Sequence, residues 1–123
     1  MHTDDITHDA AIDITELLAH VEYDRELLRD LLEVFAEEFP RLQFVLKDAL
    51  MRQDLVLVQT TAHTLKGMLA SLSFTTATAS AKSIERMAIL GTLDGISEEL
   101  ERLESHVAVA QKKLLVVCSE VVQ

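Results

Sequence analysis

The chain has little of what a sheet protein or a secreted protein needs. Tryptophan is absent, aromatic residues make up 4% of the 123 positions, and there are three glycines and one proline. Strands favour aromatic and β-branched residues and hairpins favour glycine, so this composition argues against a sandwich or barrel. So few glycines also predict few tight turns. A single cysteine, Cys118, excludes an internal disulfide and fits a reducing compartment. The first residues are polar and acidic, unlike a secretory signal, and no apolar run approaches the ~20 residues of a membrane span. We therefore expect a cytoplasmic protein. Basic residues are also short, 11 against 21 acidic ones, for a net charge of −10. That balance argues against a nucleic acid or an anionic membrane as partner and is first of all a source of solubility.

What is present is helical periodicity. Hydrophobic residues make up 49% of the chain, mostly Leu, Ala and Val. Residues 1–11 lack periodicity and read as a flexible tail, with residues 12–123 forming one domain. Asp13 followed by Glu16 is a helix-starting pair, opening a short helix with Leu17, Leu18 and Val21 on one side. Asp24 is a second cap candidate. After it, Leu28, Leu32, Phe35, Phe39, Leu42, Leu46 and Ala49 recur at steps of three and four, with a kink or local break expected at Pro40. Asp54 starts a central helix reaching about Ser73, with Leu55, Val58, Ala62, Leu65, Leu69 and Leu72 inward. A third stripe runs Ala77, Ala81, Ile84, Ala88, with Gly91 as its C-terminal cap. The last helix is expected to begin at Asp94, with Leu93, Ile96, Leu100, Leu103, Val107, Ala110, Leu114 and Val117 inward. Four long stripes with short connections predict an all-α fold, an antiparallel four-helix bundle with an additional short N-terminal helix.

Most constellations that carry chemistry are missing. There is no glycine-rich phosphate loop, hence no nucleotide site of the chain's own. The five histidines form no pair at helical spacing, and no Glu-x-x-His pair lies on an inward stripe, so no metal centre is expected. What remains is Ala62-His63-Thr64-Leu65-Lys66-Gly67. At about 100° per residue, His63 falls ~130° from the centre of the inward stripe and faces solvent. Lys66 follows one turn later. Gly67 costs a helix about 1 kcal/mol relative to alanine. Side chains on a helix lean towards its N-terminus, so glycine at 67 leaves the imidazole open to an approaching molecule. A neutral imidazole is a nucleophile, and a lysine beside it can meet a phosphate. The combination suits a histidine that accepts a phosphoryl group.

This hexapeptide resembles the signature of histidine-containing phosphotransfer (HPt) domains. The resemblance extends over roughly residues 12–117: the Asp-rich opening with Leu17 and Val21, the long helix with Phe35 and Pro40, and the helix with Glu85 are similar in order and spacing. Family members often carry Asn and Gly where this chain has Ser71 and Ser73, and a small residue where it has Phe74. The resemblance implies a phosphorelay intermediate without enzymatic turnover of its own. His63 would take a phosphoryl group on Nε2 from a receiver-domain aspartate or a histidine kinase and pass it to another receiver. Lys66 would stabilise the phosphate and Gly67 would admit the partner. No cofactor is implied on this chain, since the Mg²⁺ belongs to the receiver. The partners implied are a response-regulator receiver domain, a hybrid histidine kinase, or both, with the chain itself a monomer. Two other readings stay open: an HPt-like adaptor that binds a receiver without phosphotransfer, and a structural or oligomerising bundle.

Periodicity also marks an outward apolar set. Phe44 and Val56 lie ~170° and ~150° from the stripe centres of their helices, and Phe74, if still helical, shares Val56's direction. With Gln59 and Ala70 these residues form the expected partner-binding face around His63, Phe44 lying level with about residue 61.

Overall fold

Aspartate opens the first three helices. The computed structural model of the chain describes residues 11–121, with side chains beyond Val116 outside that description. Among the described residues there are five helices and no strand: α1 (Ile14–His20), α2 (Arg25–Met51), α3 (Leu55–Ser71), α4 (Thr75–Ile89) and α5 (Ile96–Val121). The Asp13 carboxylate accepts from the Glu16 amide at 3.0 Å, Asp24 accepts from Glu26 and Leu27, and Asp54 accepts from Leu57. Each satisfies amides that the first helical turn leaves without a partner. The fifth helix departs from expectation. Asp94 does not cap it, and α5 begins at Ile96 after Gly95, whose φ is 90°.

The four connections close in one way. Glu22, Gln53, Ser73 and Gly91 each follow a helix with positive φ, at 54°, 56°, 57° and 76°. In each case the next residue's amide reaches back to a carbonyl five positions earlier: Tyr23 to Leu18, Asp54 to Ala49, Phe74 to Leu69, Thr92 to Met87. This is the Schellman closure, which satisfies the helix's last carbonyls and turns the chain sharply. Glycine normally occupies the left-handed position, yet only Gly91 is one. The expectation of few tight turns, drawn from scarce glycine, is thus corrected: three ordinary residues take that position, and Tyr23 beside one of them is left-handed as well, at φ 58°. α2 runs unbroken through Pro40, and the expected break is absent.

Among the described side chains the predicted stripes line the core, with Leu32, Leu55 and Leu93 half-buried at its edge, while the Val117 side chain lies outside the described residues. Phe35, Leu46, Val58, Ala62, Leu65, Leu69, Ala81, Ile84, Leu103 and Val107 are all buried. α3 packs along α4, α4 along α5, and α2 along α3. Glu104 of α5 accepts from Gln43 at 2.6 Å and pairs with Lys47 at 2.9 Å, tying α5 back to α2. α1 is fastened at the α3–α4 turn. The Asp13 amide donates to the Ser73 carbonyl at 2.9 Å, and the Ser73 hydroxyl donates to the Glu16 carboxylate at 2.6 Å. Glu16 therefore spends its carboxylate on the neighbouring turn rather than on its own helix start. The segment expected to be a tail lies outside the described residues as far as residue 10. Its last member, Ala11, is buried with Ile12 in the core.

Phe74 corrects the sequence reading most directly. A helix extrapolated past Ser71 points this ring outward, but the left-handed turn at Ser73 reverses the chain and Phe74 is fully buried. Its ring meets Phe35 edge-on at a centroid distance of 5.6 Å, and Phe35 stacks on Phe39 at 5.1 Å. Phe74 is a core residue and is withdrawn from the partner-binding face.

Candidate functional site

With Ala62 and Leu65 buried, α3 turns the two residues between them outward, and the His63 side chain is 66% exposed. Opposite it, α4 presents Glu85. This residue lies four positions after Ala81 and three before Ala88, both buried, so its stem leaves the edge of the core and its carboxylate emerges at the seam between α3 and α4. Only 14% of that side chain is exposed. Oε2 lies 2.8 Å from His63 Nδ1, and Oε1 accepts from Lys66 Nζ at 2.8 Å. One carboxylate thus holds both polar residues of the hexapeptide.

The hydrogen bond from Lys66 is the main cause that holds the Glu85 carboxyl below the usual carboxylate range. Partial burial opposes it, and the His63 hydrogen bond reinforces it. An ionised carboxylate can only accept, so Nδ1 is the nitrogen that carries the proton. In the neutral ring the lone pair then belongs to Nε2. Neighbouring hydroxyls do not compete for the ring. Thr60 Oγ1 donates to the Val56 carbonyl and Thr64 Oγ1 to the Thr60 carbonyl, both within α3.

Gly67 lies on the same exposed side of α3, and a Cβ built there meets nothing within 4 Å. Lys66 is an anchored charge, 30% exposed and paired with Glu85.

Val56, Gln59 and Thr60 join His63 and Glu85 in lining one shallow depression. Val56 is 75% exposed and Phe44 is 72% exposed, so neither is covered by α1. Phe44 and Ala70 are exposed but line no part of that depression. Among the described residues no group of three or more His, Cys, Asp or Glu side chains could hold a metal ion.

Glu85 is the residue that periodicity did not single out as functional. Its signal was present, since a carboxylate sits within the inward spacing of an otherwise small and apolar stripe. Which side chains it would meet depended on the pairing of α4 with α3.

No curated protein and no solved structure matches the chain significantly. The family model of the Hpt domain matches residues 30–113. That span leaves out α1 but takes in all of α3 and α4, with His63, Lys66 and Glu85, and the chain belongs to the Hpt domain family.

Proposed function

We propose that the protein is a phosphorelay intermediate of two-component signalling, with His63 Nε2 as the phosphoryl acceptor. The fold that carries it is an antiparallel four-helix bundle of α2–α5 with α1 packed beside the α3–α4 turn. The observation that carries the reading is the Glu85 carboxylate on Nδ1. It fixes the tautomer whose Nε2 lone pair attacks the phosphorus of an aspartyl phosphate on a receiver domain. The N–P bond forms, the P–O bond to the aspartate breaks, and the carboxylate leaves with its electron pair. The ring becomes a phosphorylated imidazolium whose positive charge faces Glu85, and the onward step reverses these changes on a second receiver. Lys66, already beside the ring, screens the charge of the transferred group, and Gly67 keeps the approach clear. Transfer of this kind needs positioning and charge stabilisation more than covalent chemistry from the protein. The Mg²⁺ is assigned to the receiver, and a hybrid histidine kinase is an alternative donor.

The test is incubation with phosphorylated receiver domains followed by mapping of acid-labile phosphate. Label is expected on His63 alone, and His63→Gln is expected to abolish it while changing stability by less than ~0.5 kcal/mol. Receiver binding without label on the parent protein would point instead to an adaptor.

A further inference from the structure

The outer flank of α4 differs in charge from the chain as a whole. Arg41, Lys47, Arg52, Lys66 and Arg102 each pair with a carboxylate. Lys82 and Arg86, both exposed on α4, have no side-chain hydrogen bond or ion pair among the described residues; the same is true of Arg29 on α2 and Lys112 on α5, but only Lys82 and Arg86 stand together on one helix. They stand one turn apart and line a shallow depression with Ala79 and Ser83. The only acidic residue of α4 is Glu85, and its carboxylate is turned to His63 and Lys66. At about 100° per residue, Ile89, Lys82 and Arg86 lie roughly 40°, 60° and 100° round the helix from Glu85. The basic strip therefore begins beside the histidine seam. Ile89 and Leu90 continue it as exposed apolar residues, 59% and 71% exposed. A chain with net charge −10 thus places two uncompensated cations and an apolar end next to its reactive imidazole.

We propose that Lys82 and Arg86 form an electrostatic docking strip for a carboxylate-rich protein surface, which they orient over His63. The proposal rests on the phosphorelay reading above and adds the charge character of the partner's face. Charge complementarity decides the occupant. An acidic surface is repelled by most of this molecule and attracted at this flank, so it arrives in one orientation. Such complementarity acts chiefly on encounter rate and register rather than on final affinity. Two cations on so acidic a protein are poorly suited to holding an anionic membrane.

The experiment compares the parent with Lys82→Glu/Arg86→Glu, and with Arg29→Glu/Lys112→Glu as a control of equal net charge on exposed residues elsewhere. Association with purified receiver domains is measured by stopped flow across ionic strength, and transfer from the phosphorylated receivers is followed in parallel. Labelling of His63 by phosphoramidate, a small donor that needs no docking, reports on the integrity of the site. The α4 double variant is expected to associate at least about tenfold more slowly at low salt and to lose most of the salt dependence, with phosphoramidate labelling unchanged. The control pair is expected to stay within about twofold of the parent, and Lys82→Arg/Arg86→Lys to behave like it. Equal association of parent and α4 variant overturns the strip. So does an equal loss in the control pair, or preferential binding of vesicles containing phosphatidylserine. A parent that binds and exchanges phosphate with no receiver overturns the phosphorelay reading, and the strip falls with it.

Discussion

Glu85 meets His63 across 22 residues of sequence, its Oε2 2.8 Å from Nδ1, while its other oxygen takes the Lys66 ammonium at the same distance. An imidazole and a cation on one helix are thus positioned by a single residue of the next. Imidazole orientation, tautomer and lysine position are consequences of one contact between α3 and α4. They should fail together when it is removed.

Glu85→Ala is therefore expected to slow phosphorylation of His63 by about ten- to a hundredfold, the range found when a carboxylate orienting a functional imidazole is lost. Glu85→Gln, which can still accept from one partner, should fall between. Nitrogen chemical shifts of the ring should move from one dominant tautomer towards a mixture in both variants, an outcome that simple loss of packing does not produce.

The same carboxylate predicts a pH dependence of stability. Its pKa is lowered in the folded state, so its contribution is fully present above the unfolded value of about 4.3 and is lost as pH falls through the lower, folded value. The contribution of this carboxylate to the stability difference between the parent and Glu85→Gln should shrink as pH falls below about 4. Urea titrations over that range measure it. A difference that grew below about pH 4 would contradict the assigned direction.

Gly67 offers a separation of stability from function. Because an added Cβ meets nothing, Gly67→Ala should stabilise α3 by up to about 1 kcal/mol. Gly67→Leu should slow transfer from a phosphorylated receiver while remaining folded. Normal transfer by the leucine variant would remove the steric role.

The two phenylalanines first assigned to one surface should now behave as opposites. Phe74→Ala empties a fully buried site against Phe35 and is expected to cost about 3–5 kcal/mol of stability. Phe44→Ala, at an exposed position, should change stability by less than ~0.5 kcal/mol. If Phe44 anchors a receiver, its truncation weakens binding by at least ~1–2 kcal/mol. Calorimetric binding and thermal melts of both variants separate the roles.

The left-handed turn residues make a further prediction. Gln53 is exposed, and no side-chain hydrogen bond holds it at φ 56°. Relief of a strain of ~1–2 kcal/mol, less the ~0.5–1 kcal/mol of flexibility that glycine adds to the unfolded chain, should leave Gln53→Gly more stable by up to about 1.5 kcal/mol. Ser73→Gly should gain less, because it loses the hydroxyl that binds Glu16.

How much of this was legible follows from the range over which each force acts. The apolar stripes were readable because burial repeats with the helix period, and Val58, Ala62, Leu65 and Leu69 lie where that period puts them. The exposure of His63 followed from the same arithmetic. Phe74 was misread because the period holds only while the helix lasts, and the chain reverses at Ser73. The role of Glu85 was hidden for a different reason: its partners lie on another helix, and one helix's period says nothing about rotation against a neighbour. Asp94 looked like a cap by residue type, but Gly95 turns the chain before α5 can begin there.

The family match starts at residue 30, yet the molecule's foundations begin nearer residue 11. Ile12, Ile14, Leu17 and Val21 are buried, and α1 is moored to Ser73 through Asp13 and Glu16. Burying four such side chains is worth at most roughly 6–12 kcal/mol, at about 1.5–3 each. Whole domains retain only ~5–15 kcal/mol. A fragment excised at the match boundary would also lose the first turn of α2 with Leu28, and would open the flank of the core where Phe74 now lies dry. Such a fragment should be recovered as an aggregate or a loosely ordered chain, although His63, Lys66 and Glu85 would all still be in its sequence. The portable unit for grafting this histidine into another signalling protein therefore has to begin before α1.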